Sequence, residues 1–191
     1  MKRLSGQALV FFAMLALSCS GNLWANSQEF AGLDLRLEHD DVSLLLQGEM
    51  SFQFSKSALE ALANGLPLAV DTEIIIKPVS KWYWQKSLLS ISYKLEIQYH
   101  ALSQQYLVKA IGSDYPRAFL TQDTALAALG RVVEFPLIEL SSLDPREKYE
   151  ISIRSALDSE SLPVPLRPLI YLSDEWRLSS DWKRLSWPIN K

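Results

Sequence analysis

Cysteine is nearly absent from this chain: its 191 residues contain one, Cys19. A lone thiol closes no disulfide within the chain, so the fold must be held by its core. Histidine is almost as scarce, limited to His39 and His100. His39 sits in the charged run Glu38-His39-Asp40-Asp41, where a solvated turn histidine is the ordinary role. His100 ends a strand pattern on its polar face, a place for a surface or hydrogen-bonded imidazole. The chain has no Gly-x-Ser-x-Gly elbow, phosphate loop, dinucleotide fingerprint or His-Glu-x-x-His helix. The acidic run at 38–41 lacks the glycine turn and distal glutamate of a calcium loop. No catalytic residue, cofactor or metal ligand is therefore assigned. Basic excess is missing too: 19 Lys and Arg face 22 Asp and Glu, for a formal charge of −3. A mildly acidic chain without a basic stripe is a poor partner for nucleic acid.

The N-terminus does carry a signal. Lys2 and Arg3 precede an apolar run from Ala8 to Leu17, which passes through small and polar residues to Leu23-Trp24-Ala25. That is the order of a bacterial secretion signal, and the run is shorter than the roughly 20 residues of a membrane span. The expected division is a signal over 1–25 and one β-rich exported domain over 26–191, working in the periplasm or otherwise beyond the inner membrane. Cleavage would remove Lys2 and Arg3 but no acid, taking the charge from −3 to −5. Ala16-Leu17-Ser18-Cys19 also loosely matches a lipoprotein box, so lipidation at Cys19 and an uncleaved anchor are the alternatives. Membrane association is expected only through these routes.

Beyond the signal, apolar residues are spread through the chain, and 48% hydrophobic against 21% charged is the balance of a globular core. Period-two alternation dominates. Leu89, Ile91, Tyr93, Leu95, Ile97 and Tyr99 alternate with Ser90, Ser92, Lys94, Glu96 and Gln98. A strand sends successive side chains to opposite faces, so this segment has one apolar and one wet face. Leu33, Leu35 and Leu37 form a second alternating run, and Val42, Leu44 and Leu46 a third after the turn at His39-Asp40-Asp41, with Phe52 and Phe54 continuing it. Leu68 to Ile76 forms a long strand ending near Pro78. Tyr106, Val108 and Ala110 follow a hairpin break at Ser103-Gln104-Gln105, and Tyr149, Ile151, Ile153 and Leu157 alternate near the end. Acid pairs such as Asp71 and Glu73 belong to a wet sheet face.

Two short helices interrupt the strands. Ser57 and Glu60 form a capping-box pattern, and Asn64-Gly65 with Pro67 stops the helix. The second runs from Thr121 to a stop at Gly130. Pro163, Pro165 and Pro168 predict an extended segment after Leu162. The chain is read as mainly β: an antiparallel β-sandwich-like domain with two short capping helices, or else a single curved sheet packed on both.

Aromatic clusters are the strongest candidates for contact with a partner. Trp82-Tyr83-Trp84 lies beside Lys81 and Lys86, and Trp176 and Trp182 stand among Arg177, Lys183 and Arg184. Interfaces are enriched in Trp, Tyr and Arg, whereas core use of the same rings is the competing role. The function read from this is a non-catalytic binding or protein-interaction domain; the alternative is an envelope enzyme or small-ligand carrier with a pocket in the sandwich.

Several stretches also occur together in one known family. They are Ala61-Leu62-Ala63-Asn64-Gly65-Leu66-Pro67-Leu68, Trp82-Tyr83-Trp84, Tyr99 to Tyr106, Phe119-Leu120-Thr121, Ala125 to Gly130 and Glu175-Trp176-Arg177-Leu178-Ser179-Ser180-Asp181-Trp182. The combination resembles a proteobacterial domain-of-unknown-function family of small exported proteins. The segment after Pro163, with Val164, Leu166, Arg167 and Pro168, departs from its pattern. The resemblance implies no activity. It implies export, and a gene neighbourhood that often holds a nitrogen-regulation-type sensor histidine kinase, whose extracytoplasmic part is then the expected partner.

Overall fold

The computed structural model describes residues 30–79, 87–168 and 172–188. Residues 1–29, with the expected signal and Cys19, and Trp82-Tyr83-Trp84 lie outside the described residues. Strands β1 (Ala31–His39) and β2 (Ser43–Phe52) form a hairpin, followed by helix α1 (Lys56–Ala63). Then come β3 (Leu68–Pro78), β4 (Leu89–His100), β5 (Gln105–Ala110) and β6 (Arg117–Phe119). Helix α2 (Gln122–Gly130) leads directly into β7 (Arg131–Glu139), and β8 (Tyr149–Leu157) and β9 (Lys183–Trp187) complete the set. The strands make a three-stranded sheet ordered β1-β2-β7 and a six-stranded sheet ordered β6-β5-β4-β3-β8-β9. Every pairing is antiparallel.

The alternation explains why the sheets stack. On β3, Leu68, Val70, Thr72, Ile74 and Ile76 are all buried, while Asp71, Glu73 and Ile75 between them are half-buried. Tyr149, Ile151, Ile153, Ser155 and Leu157 repeat this on β8. These rows meet Leu35, Leu37, Leu44, Leu46 and Met50 of the small sheet in one core cluster. Removing a Leu or Ile side chain of this kind from water contributes about 1.5–3 kcal/mol. The other end of the large sheet is covered by the helices: Ala58 and Leu62 of α1 and Ala125 and Leu129 of α2 pack with Leu68, Val70, Ile97, Val108 and Trp176. The domain is thus mainly β, a two-sheet sandwich with the helices continuing the small sheet's cover over the same face. Between the two apolar clusters lie buried hydroxyls, with Thr72 Oγ1 2.9 Å from Ser155 Oγ and Ser180 Oγ accepting from Ser155 N at 3.0 Å.

Two local expectations change. Helix α1 is capped by Ser55, whose Oγ accepts from Ala58 N at 3.2 Å, and not by Ser57. The Ser57 hydroxyl instead donates to the Glu175 carboxylate, a tertiary partner that sequence spacing cannot show. The proline segment is not purely extended: Val164–Leu166 forms one 3₁₀ turn with Pro165 inside it. Proline fits there because the first amides of a helical turn have no internal partner to lose. The expected stop of α2 at Gly130 holds, and packing rather than a positive φ accounts for it. A Cβ there would stand 1.7 Å from the Met50 carbonyl oxygen, so the helix end can rest on β2 only through a residue without a side chain. Gly65, by contrast, does adopt φ +88° after α1.

Candidate interaction surface

The outer face of the large sheet is wet, and its charges answer one another. Lys94 Nζ donates to Asp158 at 2.8 Å and lies 3.8 Å from Asp71. Its ammonium is held above the usual lysine range mainly by the Asp158 hydrogen bond, against a smaller opposing effect of burial. Arg154 bonds Glu73 at 3.2 Å, and its guanidinium lies over the Trp182 ring at 4.7 Å. Lys109 meets Glu96 at 3.3 Å, and Arg184 meets Glu150 at 3.9 Å. Such pairs neutralise much of that face. Trp182, half-buried, is partly committed to Arg154. Trp176 is buried in the core, so its ring packs the helices and offers no face to a partner.

Neither histidine sits in a converging site. His39 is exposed in the β1–β2 turn, with its ring 5.4 Å from that of Trp187. The same turn is fixed by Asp40, whose Oδ1 accepts from Val42 N at 2.8 Å and Ser43 N at 2.6 Å. Those two amides, Ser43 first, hold the Asp40 carboxyl below its ordinary range. His100 is exposed at the end of β4, with Nδ1 3.0 Å from Ser103 Oγ. The hydroxyls between the sheets offer no base either. Tyr93 Oη makes no hydrogen bond of ordinary geometry, and burial, opposed by the Thr72 hydroxyl, pushes its phenol up to about 12. Among the described residues no group of three or more His, Cys, Asp and Glu could hold a metal ion.

The concavities are shallow and lie on outer faces. On the small sheet, Asp34, Arg36, Gln47, Gly48, Glu49 and Arg131 line a trough of about 390 Å³. Between the two sheets, by contrast, Leu44, Leu46, Ile74, Ile76, Ile151 and Ile153 leave no exposed surface.

The sandwich end away from the helices differs from both faces. There the connection from β7 to β8 bridges the sheets: Leu140 N donates to Val42 O at 2.8 Å, and Val79 N donates to Lys148 O at 2.7 Å. The bridge is braced from inside, because the Tyr149 hydroxyl accepts from Asp144 N at 2.9 Å. Leu88 joins the same end, its N donating to Ile76 O at 2.9 Å. Val42 and Val79 are each 61% exposed and Leu88 46%. Three apolar side chains from two connections therefore face solvent at one end. Residues 80–86, with Trp82, Tyr83 and Trp84, connect Val79 to this end by sequence and lie outside the described residues.

A family profile described as "Domain of unknown function (DUF4390)" matches residues 27–186. The chain belongs to the DUF4390 family. The resemblance drawn from the helix, aromatic and tryptophan motifs thus holds at the level of a domain of unknown function. Comparison with curated proteins gives no match, and comparison with solved structures gives none. For this DUF4390 chain, sequence reasoning missed Val42, Val79 and Leu88. Their signal was position: each stands just outside a strand, beside Asp41, Pro78 or Ser87, where alternation no longer dictates burial.

Proposed function

We propose that this DUF4390 chain is a non-catalytic interaction domain that works beyond the inner membrane, and that its sandwich end is the docking surface. The observation that carries the reading is the exposure of Val42, Val79 and Leu88 at one braced end. Exposed apolar side chains at one end of a braced support gain from a partner that removes them from water. The sequence between Val79 and Leu88 adds Lys81, Trp82, Tyr83, Trp84 and Lys86, residue types that favour interfaces. The signal-like N-terminus supports export. The gene neighbourhood implied by the family resemblance makes the extracytoplasmic part of a sensor histidine kinase the partner of choice, a warrant of association.

A photo-crosslinking amino acid at Val79 or Leu88, in living cells, tests this. The expected result is one dominant adduct with an envelope protein, absent when the same group replaces Ser90 on the charged outer face. Equal labelling from both positions, or none from either, would remove the sandwich end from consideration.

A further inference from the structure

We infer that β1 is a homodimerisation edge, at which two copies of this chain pair antiparallel about Leu35. Among the described residues the two sheets end in four edge strands with no further strand paired to them, and the four are unequal; β1 meets β9 of the other sheet at its His39 end, where the His39 ring lies 5.4 Å from that of Trp187. β6 has three residues, and β9 has five and is followed by Pro188. β7 carries Pro136, a positive φ at Glu134 and two register shifts against β2. Bulges, prolines and shortness are three of the devices that keep an edge from pairing; charged side chains are another, and those of β1 bear both signs. β1 has no bulge, proline or shortening: its nine residues hold an unbroken register with β2, from Ala31 opposite Phe52 to His39 opposite Leu44.

The charges across the small sheet are incomplete on that side. Asp34 stands directly opposite Glu49, and Glu49 opposite Arg131, so the row reads cation, anion, anion towards the edge. Like charges directly opposed in a sheet are unfavourable, and Asp34 makes no ion pair among the described residues. A cation supplied beyond the edge would complete the row. The strand carries that cation itself. Leu35 is the centre of Ala31–His39, so pairing two copies over their full length sets Asp34 opposite Arg36 of the second copy, twice by symmetry. Leu33 then faces Leu37, and Gly32 faces Glu38. A slip to a centre on Arg36 would oppose Arg36 to itself and Asp34 to Glu38, and a centre on Leu37 would pair Arg36 with Glu38 but overlap only residues 35–39 and leave Asp34 unmatched, so charge and strand length together select the register about Leu35. Arg36 is free to turn outward, because its present bond to Glu38 joins two exposed side chains, 66% and 45% accessible. This inference is independent of the sandwich-end reading, since β1's edge and the β3–β4 connection are different surfaces.

Sedimentation velocity of the purified protein over a wide concentration range is the test, with Asp34→Arg, Arg36→Asp and the double exchange, all checked for folding by near-ultraviolet circular dichroism. A reversible dimer is expected. Either single reversal should raise its Kd about tenfold or more, because like charges then oppose each other at two symmetric places. The double exchange should restore the starting value. As a second measurement in a Cys19→Ser background, Asp34→Cys chains mixed with Arg36→Cys chains should form a mixed disulfide on oxidation, and neither alone should crosslink efficiently. A monomer at every concentration overturns the inference. So does a dimer that ignores both reversals, or crosslinking without preference for the mixed pair.

Discussion

Gly130→Ala gives the most discriminating test of the fold, because two views of this glycine predict opposite signs. In a helix, alanine is favoured over glycine by up to about 1 kcal/mol, so a glycine that merely ends α2 could be replaced with little loss or a gain. The structure demands the reverse. The added Cβ would lie 1.7 Å from the Met50 oxygen and 2.8 Å from its carbonyl carbon. Both are backbone atoms of a strand held by β1 on one side and β7 on the other, so Met50 cannot yield alone. Relief requires lifting the end of α2 from β2, which loosens Leu129 and Ala125, both fully buried in the helix-side cluster. Overpacking of this kind costs about 1–3 kcal/mol, and the rigidity of both neighbours places it at the upper end, about 3 kcal/mol. For a domain of this size each kcal/mol moves Tm by about 2–4 °C, giving a fall of roughly 6–12 °C. Thermal and urea unfolding of the variant measure it. Gly65→Ala is the internal comparison: its φ of +88° brings strain, but its Cβ would meet only Tyr99 O at 3.6 Å, so about 1 kcal/mol is expected. An unchanged or raised Tm for Gly130→Ala would refute the close-approach argument.

Three further outcomes are expected. Thr72→Val deprives the fully buried Ser155 hydroxyl of its 2.9 Å partner and should cost about 1–3 kcal/mol in urea unfolding, while adding Ser155→Ala should recover most of the loss. Tyr93 and Lys94 are both shifted upward, so the folded state holds these protons more tightly than the unfolded chain, and stability must fall as pH rises from about 10. For Tyr93, raised from 10.0 to about 12, the loss across that window is at most about 3 kcal/mol; Tyr93→Phe should remove it, seen as a flatter alkaline unfolding profile, and be neutral or slightly stabilising at pH 7. Lys94→Met leaves the Asp158 carboxylate, 9% exposed, without its cation and should cost about 1–3 kcal/mol, whereas Lys109→Met at the more exposed Glu96 pair should cost less than 1 kcal/mol.

The parts of the fold legible in the sequence are those where one face is buried and the other wet. β1, β3, β4 and β8 each show that condition as clean alternation, and a one-residue slip would bring the wrong face inward. β7 was not legible because it is an edge strand broken by Pro136 and two bulges, so its inward residues Val132 and Leu137 are an odd number of positions apart. β9 was hidden by its length and by its five-residue mix of Lys183, Arg184, Leu185, Ser186 and Trp187. Ser57 misled because a capping pattern describes local geometry, and its hydroxyl is held from 118 residues away.

The surface was harder to read, for a physical reason that Val42 illustrates. In sequence, Val42, Leu44 and Leu46 form one alternating run, which gives all three the same strand face. In the fold, Leu44 and Leu46 are fully buried and Val42 is 61% exposed, because Asp40 binds the amides of Val42 and Ser43 and keeps Val42 in the turn. Periodicity reports which face a residue would take if the strand continued; it does not report where the covering sheet ends. That limit is set by the other sheet and by the Leu140–Lys148 bridge, both distant in sequence. An interaction surface made of such strand-end residues has no motif, since each is an ordinary valine or leucine left uncovered. Trp176 shows the converse: its residue type suggested an interface, and the two helices and Leu68, Val70 and Ile97 enclose it. Residue type therefore ranks candidates for binding, and only the extent of the opposing layer decides which of them face a partner.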